Sequence, residues 1–299
     1  MRRIDFIVNP ISGTHGKGEL PALVAKMFPY PRFDVRIHIT TRAGQGFQIA
    51  KEAIDRNSDT IVAVGGDGTV NEIASALAGC TRVKLGIIPM GSGNGLALHA
   101  EIPLVMEEAL EVIKNGHSEL IDYGDVNGHL FFTTAGTGFD ADVGEHFSKM
   151  GMRGPITYGR AIVEKAFHYQ PRTYTIYTDH KVIKQEAFMI TVGNAAQWGN
   201  HFYVAPGASQ QDGLFNVTIV KPFLVLLNAP VMAIQLISRQ FDQNRHVETF
   251  ETRHLRIESE ELGYFHVDGE PIKLESPVEI TMHAASLRIL VPLNRQGRL

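Results

Sequence analysis

The chain has 299 residues, with 28 Lys or Arg against 32 Asp or Glu, so its formal net charge is −4. This balance argues against a strongly basic nucleic-acid-binding protein, and 44% hydrophobic residues indicate a folded chain of one large or two medium domains. A single cysteine, Cys80, excludes an intramolecular disulfide framework and a zinc site built on cysteines.

The first third of the chain alternates short apolar runs with helical patterns. Strands are predicted at Ile4–Val8, Phe33–Ile39, Ile61–Val64 and Leu85–Ile88. Helical spacing follows at Val70–Ala78 and again at Pro103–Lys114. Because strand, loop and helix repeat in this order, the pattern predicts a parallel sheet with helices on its faces.

Beyond a soft boundary near Ile121, short strands joined by turns predict an antiparallel β-sandwich. These strands are predicted at Tyr174–Thr178, Phe188–Val192, Leu214–Val220, Leu255–Glu258, Glu279–His283 and Leu287–Val291. Two helices interrupt them, one at Ile156–His168 and one that begins near Pro222. The window at residues 223–237 is the most apolar of the chain, but it is too short to span a membrane. It predicts either a buried helix or an apolar lip that contacts a lipid chain or a bilayer.

Glycine is unevenly distributed, with 19 of the 29 glycines in residues 1–150. Three glycine-containing loops, residues 9–13, 65–69 and 91–95, each follow a predicted strand. The carboxyl ends of parallel strands meet at one edge of a sheet, where backbone N–H groups and helix N-termini bind phosphate. The loops therefore predict a phosphate-binding site. Their residue order matches neither a P-loop nor a dinucleotide-binding fingerprint. Asp67 in the second loop is either a helix cap, a Mg²⁺ ligand or a proton acceptor.

The second half of the chain carries several carboxylates in turn-like contexts. Asp140 and Asp142 are two residues apart in a predicted strand, and only one of them is expected to reach a binding site. Asp212 and Asp268 each precede a glycine, as in hairpin turns, and Glu270 follows the second of these turns.

In combination, these pieces resemble the diacylglycerol kinase catalytic-domain family, which includes bacterial lipid kinases, sphingosine kinases and ceramide kinases. The resemblance covers essentially the whole chain and begins with the nucleotide-binding signature at residues 65–72. It continues at residues 9–13, Thr41 with Gly44, 89–94, 136–141, 212–213 and 267–270.

The resemblance implies an α/β nucleotide domain at residues 1–120, to which strands at about 285–299 return, and a β-sandwich lipid domain at residues 121–284. ATP is implied to lie between the two domains. The implied reaction transfers the γ-phosphate of ATP to a lipid hydroxyl with Mg²⁺, which requires mainly positioning and charge neutralisation.

Roles follow from the resemblance by motif. The residues implied to hold ATP are Asn9, Ser12, Thr41, Gly66, Gly68, Thr69, Glu72, Gly91, Ser92, Gly93, Asn94 and Asp268. Asp212 resembles a metal-linked aspartate, and Asp140 and Asp142 match the substrate side. Asp67 and Glu270 each match a proposed general base, in the sphingosine kinase and bacterial branches respectively. Because both candidate bases are present, the sequence does not choose between Asp67 and Glu270. The third loop is closer to the sphingosine kinase branch, which leaves both diacylglycerol and a sphingoid base open as substrates.

Two other functions remain open: an NAD kinase-like small-molecule kinase, and a regulator that binds nucleotide or lipid without turnover. The expected partners are a lipid substrate and a transient membrane surface, with no nucleic acid, and a homodimer stays open. Scattered cations at Lys149, Arg153, Arg160 and Lys165 are either a headgroup contact or an ordinary solvated surface. The single cysteine and the polar start of the chain indicate a cytoplasmic protein. The implied lipid substrate adds the expectation that it is peripheral at the membrane.

Overall fold

The computed structural model describes residues 1–11, 17–150, 165–166 and 168–295, without the side chains of residues 17 and 147–150. Contacts divide the chain into two units. The first unit comprises Met1–Tyr123 and Ala284–Leu299, and the second unit comprises Gly124–His283. Each unit has its own sheet architecture, and the fold class expected from the sequence is confirmed.

The first unit is built on a parallel sheet. Its first four strands are β1 (Arg2–Val8), β2 (Phe33–Ile39), β3 (Thr60–Gly65) and β4 (Lys84–Pro89). Its helices are α1 (Leu20–Met27), α2 (Gln45–Asp55), α3 (Asp67–Leu77), α4 (Gly95–His99) and α5 (Met106–Asn115). The strands lie in the order β2-β1-β3-β4, all parallel. Every residue of β3 is buried, as expected for a parallel strand that is covered on both faces.

The second unit consists mainly of antiparallel strands. In chain order, the remaining strands are β5 (His117–Val126), β6 (His129–Phe131), β7 (Thr134–Gly138), β8 (Arg172–Thr178), β9 (Val182–Ala187), β10 (Met189–Gly193), β11 (Phe215–Val220), β12 (Val247–Thr252), β13 (His254–Glu258), β14 (Tyr264–Val267), β15 (Glu270–Lys273) and β16 (Val278–Val291). One sheet of the second unit has the order β12-β11-β10-β7-β14-β15, and another contains β13, β8 and β9 with the first part of β16. A shared core of buried side chains from both sheets includes Tyr174, Phe215 and Phe265.

Three regions beyond Tyr123 differ from the sequence prediction. Glu279–His283 and Leu287–Val291 are parts of one strand, β16, rather than two strands. Within it, Ala285 takes a positive φ of 48°, and its N–H donates to Asp122 Oδ1 over 2.6 Å. The first part of β16 pairs with β13, and Ile289 pairs with Leu85 of β4, so this strand contributes to both units.

The strand predicted to carry Asp140 and Asp142 is also wrong, because both residues lie in helix α6 (Phe139–Met150). Strand β7 ends at Gly138, whose φ of 106° suits glycine, and the chain then turns into the helix. Asp140 and Asp142 lie in the first helical turn, where a carboxylate is favoured by the helix dipole.

The apolar window forms helix α7 (Val225–Ile237), and the first of its two predicted alternatives, a buried helix, is wrong. Met232 is its one fully buried residue, while most of its large apolar side chains are exposed. Among the described residues, no helix is long and apolar enough to cross a membrane. The helix predicted at Ile156–His168 lies almost entirely outside the described residues, as do Arg153 and Arg160.

Candidate functional site

The glycine loops of the first unit lie at one edge of the parallel sheet. Val8 pairs with Val64, and Gly65 pairs with Pro89, so the loops after β1, β3 and β4 emerge side by side. Asn9 begins the first of these loops, and its Nδ2 donates to Thr69 Oγ1 over 3.0 Å. The predicted site residue Ser12 lies outside the described residues, so its position in this loop stays a prediction.

Asp67 connects the second loop to the third. Its Oδ2 accepts the N–H of Asn94 over 2.9 Å, and its Oδ1 accepts the N–H of Gly95 over 2.7 Å. Because both oxygens accept backbone N–H groups of the third loop, the carboxylate holds the second and third loops together. This arrangement gives Asp67 a positioning role that the spacing of the motif does not reveal.

The glycines of these loops are required in part by the approach of one loop to the other. A Cβ at Gly91 would lie 2.6 Å from Gly66 Cα, and a Cβ at Gly93 would lie 2.7 Å from Asp67 Oδ2. Real Cβ contacts are not this short, so larger residues would separate the second loop from the third. Gly68 lies beside Asp67, half-buried, in the first turn of α3.

The third loop is closed on itself by Asn94. Asn94 Oδ1 accepts the Gly91 N–H over 2.9 Å, and its Nδ2 donates to the Gly91 carbonyl over 2.8 Å. Asn94 takes a positive φ of 52°, which asparagine tolerates better than most residues. Ser92 is exposed at the tip of this ring, so its hydroxyl and backbone are accessible to a ligand.

Glu72 and Thr41 order the start of α2, beside α3. Glu72 Oε1 accepts the Gly44 N–H over 2.8 Å, and Oε2 accepts the Gly46 N–H over 3.1 Å. The backbone N–H and the hydroxyl of Thr41 both donate to Gln45 Oε1. Glu72 therefore links the middle of α3 to the N-terminus of α2 rather than being a free carboxylate.

In the second unit, Asp140 is held by residues that are distant in the chain. Its Oδ2 lies 3.0 Å from His266 Nε2 and accepts the Thr191 hydroxyl over 3.2 Å. His266 is buried, and a Cβ at Gly136 would lie only 3.0 Å from its Nε2. The sequence reasoning missed His266, because its pairing with Gly136 and its contact with Asp140 arise only in the fold.

Asp142 is paired with an arginine that the sequence reasoning also missed. Arg172 Nη2 donates to Asp142 Oδ2 over 2.8 Å, and its guanidinium lies 5.5 Å from the centre of the Tyr169 ring. Burial raises the pKa of the Tyr169 phenol, so the phenol is uncharged. Lys165 donates to the backbone carbonyl of Asp142 rather than to its carboxylate. Asp140 and Asp142 thus lie in one helical turn and contact two different partners.

Asp268 and Glu270 lie at the hairpin between β14 and β15. Asp268 and Gly269 both have positive φ, which is the geometry of a tight two-residue turn. The Asp268 carboxylate accepts backbone N–H groups of Phe132 and Thr133 and the Thr133 hydroxyl. The carboxylate oxygens of Asp268 thus accept hydrogen bonds from other residues of the second unit. The Glu270 carboxylate is exposed, with no hydrogen bond or ion pair to any described residue.

Asp212 is exposed in the turn before β11. Its Oδ1 accepts the Leu214 N–H over 2.9 Å. Within the described ranges, no group of three or more His, Cys, Asp or Glu side chains is arranged to hold a metal ion. A metal at Asp212 would therefore need most of its ligands from a bound molecule or from water.

Two family models match consecutive parts of the chain. Residues 3–126 match the family model of the diacylglycerol kinase catalytic domain, and residues 133–291 match that of the YegS C-terminal NAD kinase beta sandwich-like domain. A diacylglycerol kinase of Bacillus subtilis is 31% identical over 280 residues, which is 90% of each chain.

Solved structures are similar in fold over nearly the whole chain. The structure of a diacylglycerol kinase from Bacillus anthracis has a TM-score of 0.75 at 22% identity, covering 98% of this chain and 97% of that chain. Yeast NADH kinase, solved with NADH, has a TM-score of 0.55 at 11% identity, covering 100% of this chain and 90% of that chain. Both structures share the fold of this chain.

Proposed function

Because the chain belongs to the diacylglycerol kinase catalytic-domain family, we propose that it is a lipid kinase that phosphorylates the hydroxyl of a diacylglycerol with ATP. The choice of lipid rests on the ion pair between Asp142 and Arg172. A sphingoid base carries a cationic amine and would have to displace Arg172 from this carboxylate. A neutral glycerol hydroxyl needs no unpaired carboxylate, so the ion pair favours diacylglycerol.

The loops of the first unit are proposed to hold ATP. Backbone donors of the second and third loops, with the N-terminus of α3, offer positive dipoles to phosphate oxygens. The proposed nucleotide residues are Asn9, Ser12, Thr41, Gly66, Gly68, Thr69, Gly91, Ser92, Gly93 and Asn94. Glu72 and Asp268 are proposed to act indirectly, because their carboxylates accept hydrogen bonds that order neighbouring backbone.

Mg²⁺ is proposed to arrive with the nucleotide. Protein sites for Mg²⁺ commonly supply one or two carboxylates and take the remaining ligands from phosphate and water, so the absence of a larger cluster among the described residues is compatible with it. Asp212 Oδ2 is a hard oxygen donor on an exposed turn, and it would hold the ion. When bound, Mg²⁺ neutralises the phosphate charge that develops during transfer.

Glu270 is proposed to accept the proton of the lipid hydroxyl. Its carboxylate is exposed and has no partner among the described residues, whereas both oxygens of Asp67 are engaged by Asn94 and Gly95. Asp67 is therefore assigned to loop positioning instead of proton transfer. Asp140 and Asp142 are proposed to lie on the substrate side, where Asp140 is fixed by His266 and Asp142 by Arg172.

The proposed product is a phosphatidic acid, so the reaction belongs to phospholipid biosynthesis. The protein is proposed to be cytoplasmic and to associate transiently with a membrane surface, because diacylglycerol resides in the bilayer. No nucleic-acid partner is proposed, in line with the net charge of −4.

A substrate panel tests this function. The protein is incubated with radiolabelled ATP and Mg²⁺, and with diacylglycerol, sphingosine, ceramide, undecaprenol or NAD⁺. We expect label in the lipid fraction with diacylglycerol and at least about tenfold less with sphingosine, because sphingosine would have to displace Arg172 from Asp142. A factor of ten in the rate corresponds to about 1.4 kcal/mol. Label transferred only to NAD⁺ would replace the proposal by an NAD kinase. Tight ATP binding without turnover on any acceptor would indicate a regulator.

A further inference from the structure

Helix α7 exposes apolar side chains along one continuous face. We define the outer face of α7 as Leu224, Leu226, Leu227, Val231, Ile234 and Ile237, which are 50–74% exposed. At about 100° per residue these six side chains span roughly 160° of the helix surface. The opposite side of α7, with Val225, Met232 and Leu236, packs on the cluster around Phe188 and Phe241. Large exposed apolar patches mark interaction surfaces.

The charges around α7 fit a phospholipid surface. Residues 222–238 contain no charged side chain, whereas Lys221 precedes this stretch and Arg239 follows it directly. Arg245 is a further exposed cation, and Asp242 is the one acidic residue between positions 222 and 247. Lys221 also pairs with Glu248 over 3.0 Å. An uncharged apolar face with cations at both ends matches the interface between acyl chains and anionic headgroups.

The packing behind α7 leads to the substrate-side carboxylates of the same unit. The Phe223 and Phe188 ring centres are 4.7 Å apart, and those of Phe188 and Tyr169 are 5.0 Å apart. Tyr169 lies under the guanidinium of Arg172, which pairs with Asp142. An apolar and aromatic cluster therefore connects α7 with the residues that are proposed to face the lipid substrate.

We propose that α7 docks on an anionic phospholipid bilayer, with the outer face inserted among the acyl chains and the helix axis in the membrane plane. At about 20 Å for 13 residues, the helix is too short to span the roughly 30 Å hydrocarbon core, so it lies in the interface. A second copy of the chain is the weaker alternative, because stable dimers bury about 20–30 residues on each side. This inference rests on the proposed lipid substrate.

The test compares vesicle binding by two matched variants. Leu226→Glu/Ile234→Glu places charge on the outer face, and Val182→Glu places charge on an equally exposed apolar position of the hairpin between β8 and β9. Each protein is sedimented with vesicles of phosphatidylcholine and phosphatidylglycerol. We expect the double variant to bind at least about a hundredfold more weakly, because each lost apolar insertion is worth roughly tenfold or more. Val182→Glu should bind like the unmodified protein.

Three further measurements separate the outcomes. Activity on a short-chain diacylglycerol dispersed without vesicles should be the same in all three proteins, and circular dichroism checks their folding. Leu226→Ser/Ile234→Ser should show the same binding defect without introducing charge. The docking proposal is overturned if the unmodified protein does not sediment with the vesicles, or if the outer-face double variants sediment as much as the unmodified protein does. It is also overturned if the unmodified protein is a dimer that the double variants dissociate. Vesicle binding without turnover on any lipid would instead contradict the kinase assignment alone.

Discussion

At the residue scale, the carboxylates of the motifs that resemble the kinase family differ in their hydrogen-bond partners. Asp67 and Asp268 accept several hydrogen bonds each, Asp140 and Asp142 have specific basic or polar partners, and Glu270 has no partner among the described residues. Motif spacing alone does not separate these cases, because the partner of Asp67 is 27 residues away and that of Asp140 is 126 residues away.

Asp67→Asn tests the positioning role. The variant places an amide donor opposite the N–H groups of Asn94 and Gly95, so at least one backbone donor loses its acceptor. We expect both a loss of ATP affinity and a fall of about 1–3 kcal/mol in the free energy of unfolding. Titration with ATP and urea denaturation measure the two effects. Gly93→Ala crowds the same carboxylate oxygen and should act in the same direction. Unchanged stability with abolished turnover would restore Asp67 as the base.

Arg172→Gln tests lipid selection. Removing the guanidinium leaves Asp142 without its charged partner and opens the carboxylate to a cationic amine. We expect the ratio of kcat/KM for sphingosine to that for diacylglycerol to rise at least about tenfold, since hydrogen bonds to charged groups contribute about 1.5–3 kcal/mol. Arg256→Gln removes another ion-paired arginine of the same unit and should leave the ratio unchanged. An unchanged ratio in Arg172→Gln would mean that this pair does not select the lipid.

At the scale of elements, long-range side-chain pairs attach helices to strands. In the second unit, His266 on β14 holds Asp140 in the first turn of α6, and α6 carries Asp142. In the first unit, Asp5 on β1 is buried and is bound by His38, Arg56 and Ser58. Both carboxylates depend on partners that other elements supply, so losing a partner should cost stability.

His266→Leu tests the attachment of α6. The variant leaves the Asp140 carboxylate with Thr191 as its remaining long-range side-chain donor. We expect the free energy of unfolding to fall by at least about 2 kcal/mol, the cost of removing a partner from a largely buried charged group. His266→Gln keeps an N–H donor and should recover part of this loss. Urea denaturation measures both variants, and equal stability of all three proteins would show that the contact contributes little.

Asp5 predicts a pH dependence of stability. Burial alone would raise the pKa of the Asp5 carboxyl, but hydrogen bonds from Ser58, His38 and Arg56 outweigh it and hold that pKa below its usual value. The resulting stability is present above about pH 4 and is lost as the pH falls through the folded pKa. Asp5→Asn should therefore be less stable than the unmodified protein at pH 7, by about 1–3 kcal/mol, and the difference should shrink near pH 3.

Urea denaturation at the two pH values measures this difference in the free energy of unfolding. Asp55→Asn is the control, because Asp55 is exposed at the end of α2. A constant stability difference between the Asp5 variant and the unmodified protein at both pH values would contradict the argument.

At the scale of the whole molecule, the sequence predicts the architecture better than the details of the site. Fully apolar runs such as Ile61–Val64 predict buried parallel strands, and glycine clusters after them predict the loops at the sheet edge. The strand expected around Asp140 and Asp142 was wrong, because local periodicity does not reveal the turn at Gly138. The composition of α7 predicted burial or a lipid contact, and only the fold shows which side chains are left exposed.

The partners of Asp140 and Asp142 were not predictable from the sequence either. Arg172 and His266 carry no local signal of their roles, since each acts through a contact that the tertiary fold creates. Conversely, the Asp-Gly turn before Glu270 was correctly predicted, because positive φ at both turn positions is a local property. Exposure of Glu270 follows from that turn.

The most direct test of the central claim is the product formed from radiolabelled ATP and diacylglycerol by the unmodified protein, Glu270→Gln and Glu275→Gln. We predict labelled phosphatidic acid with the unmodified protein and Glu275→Gln, and a rate about 10²–10⁴-fold lower with Glu270→Gln, because a general base contributes this much. Stability should be unaffected, since the Glu270 side chain is exposed. The absence of labelled phosphatidic acid with the unmodified protein, or full turnover by Glu270→Gln, would contradict the account.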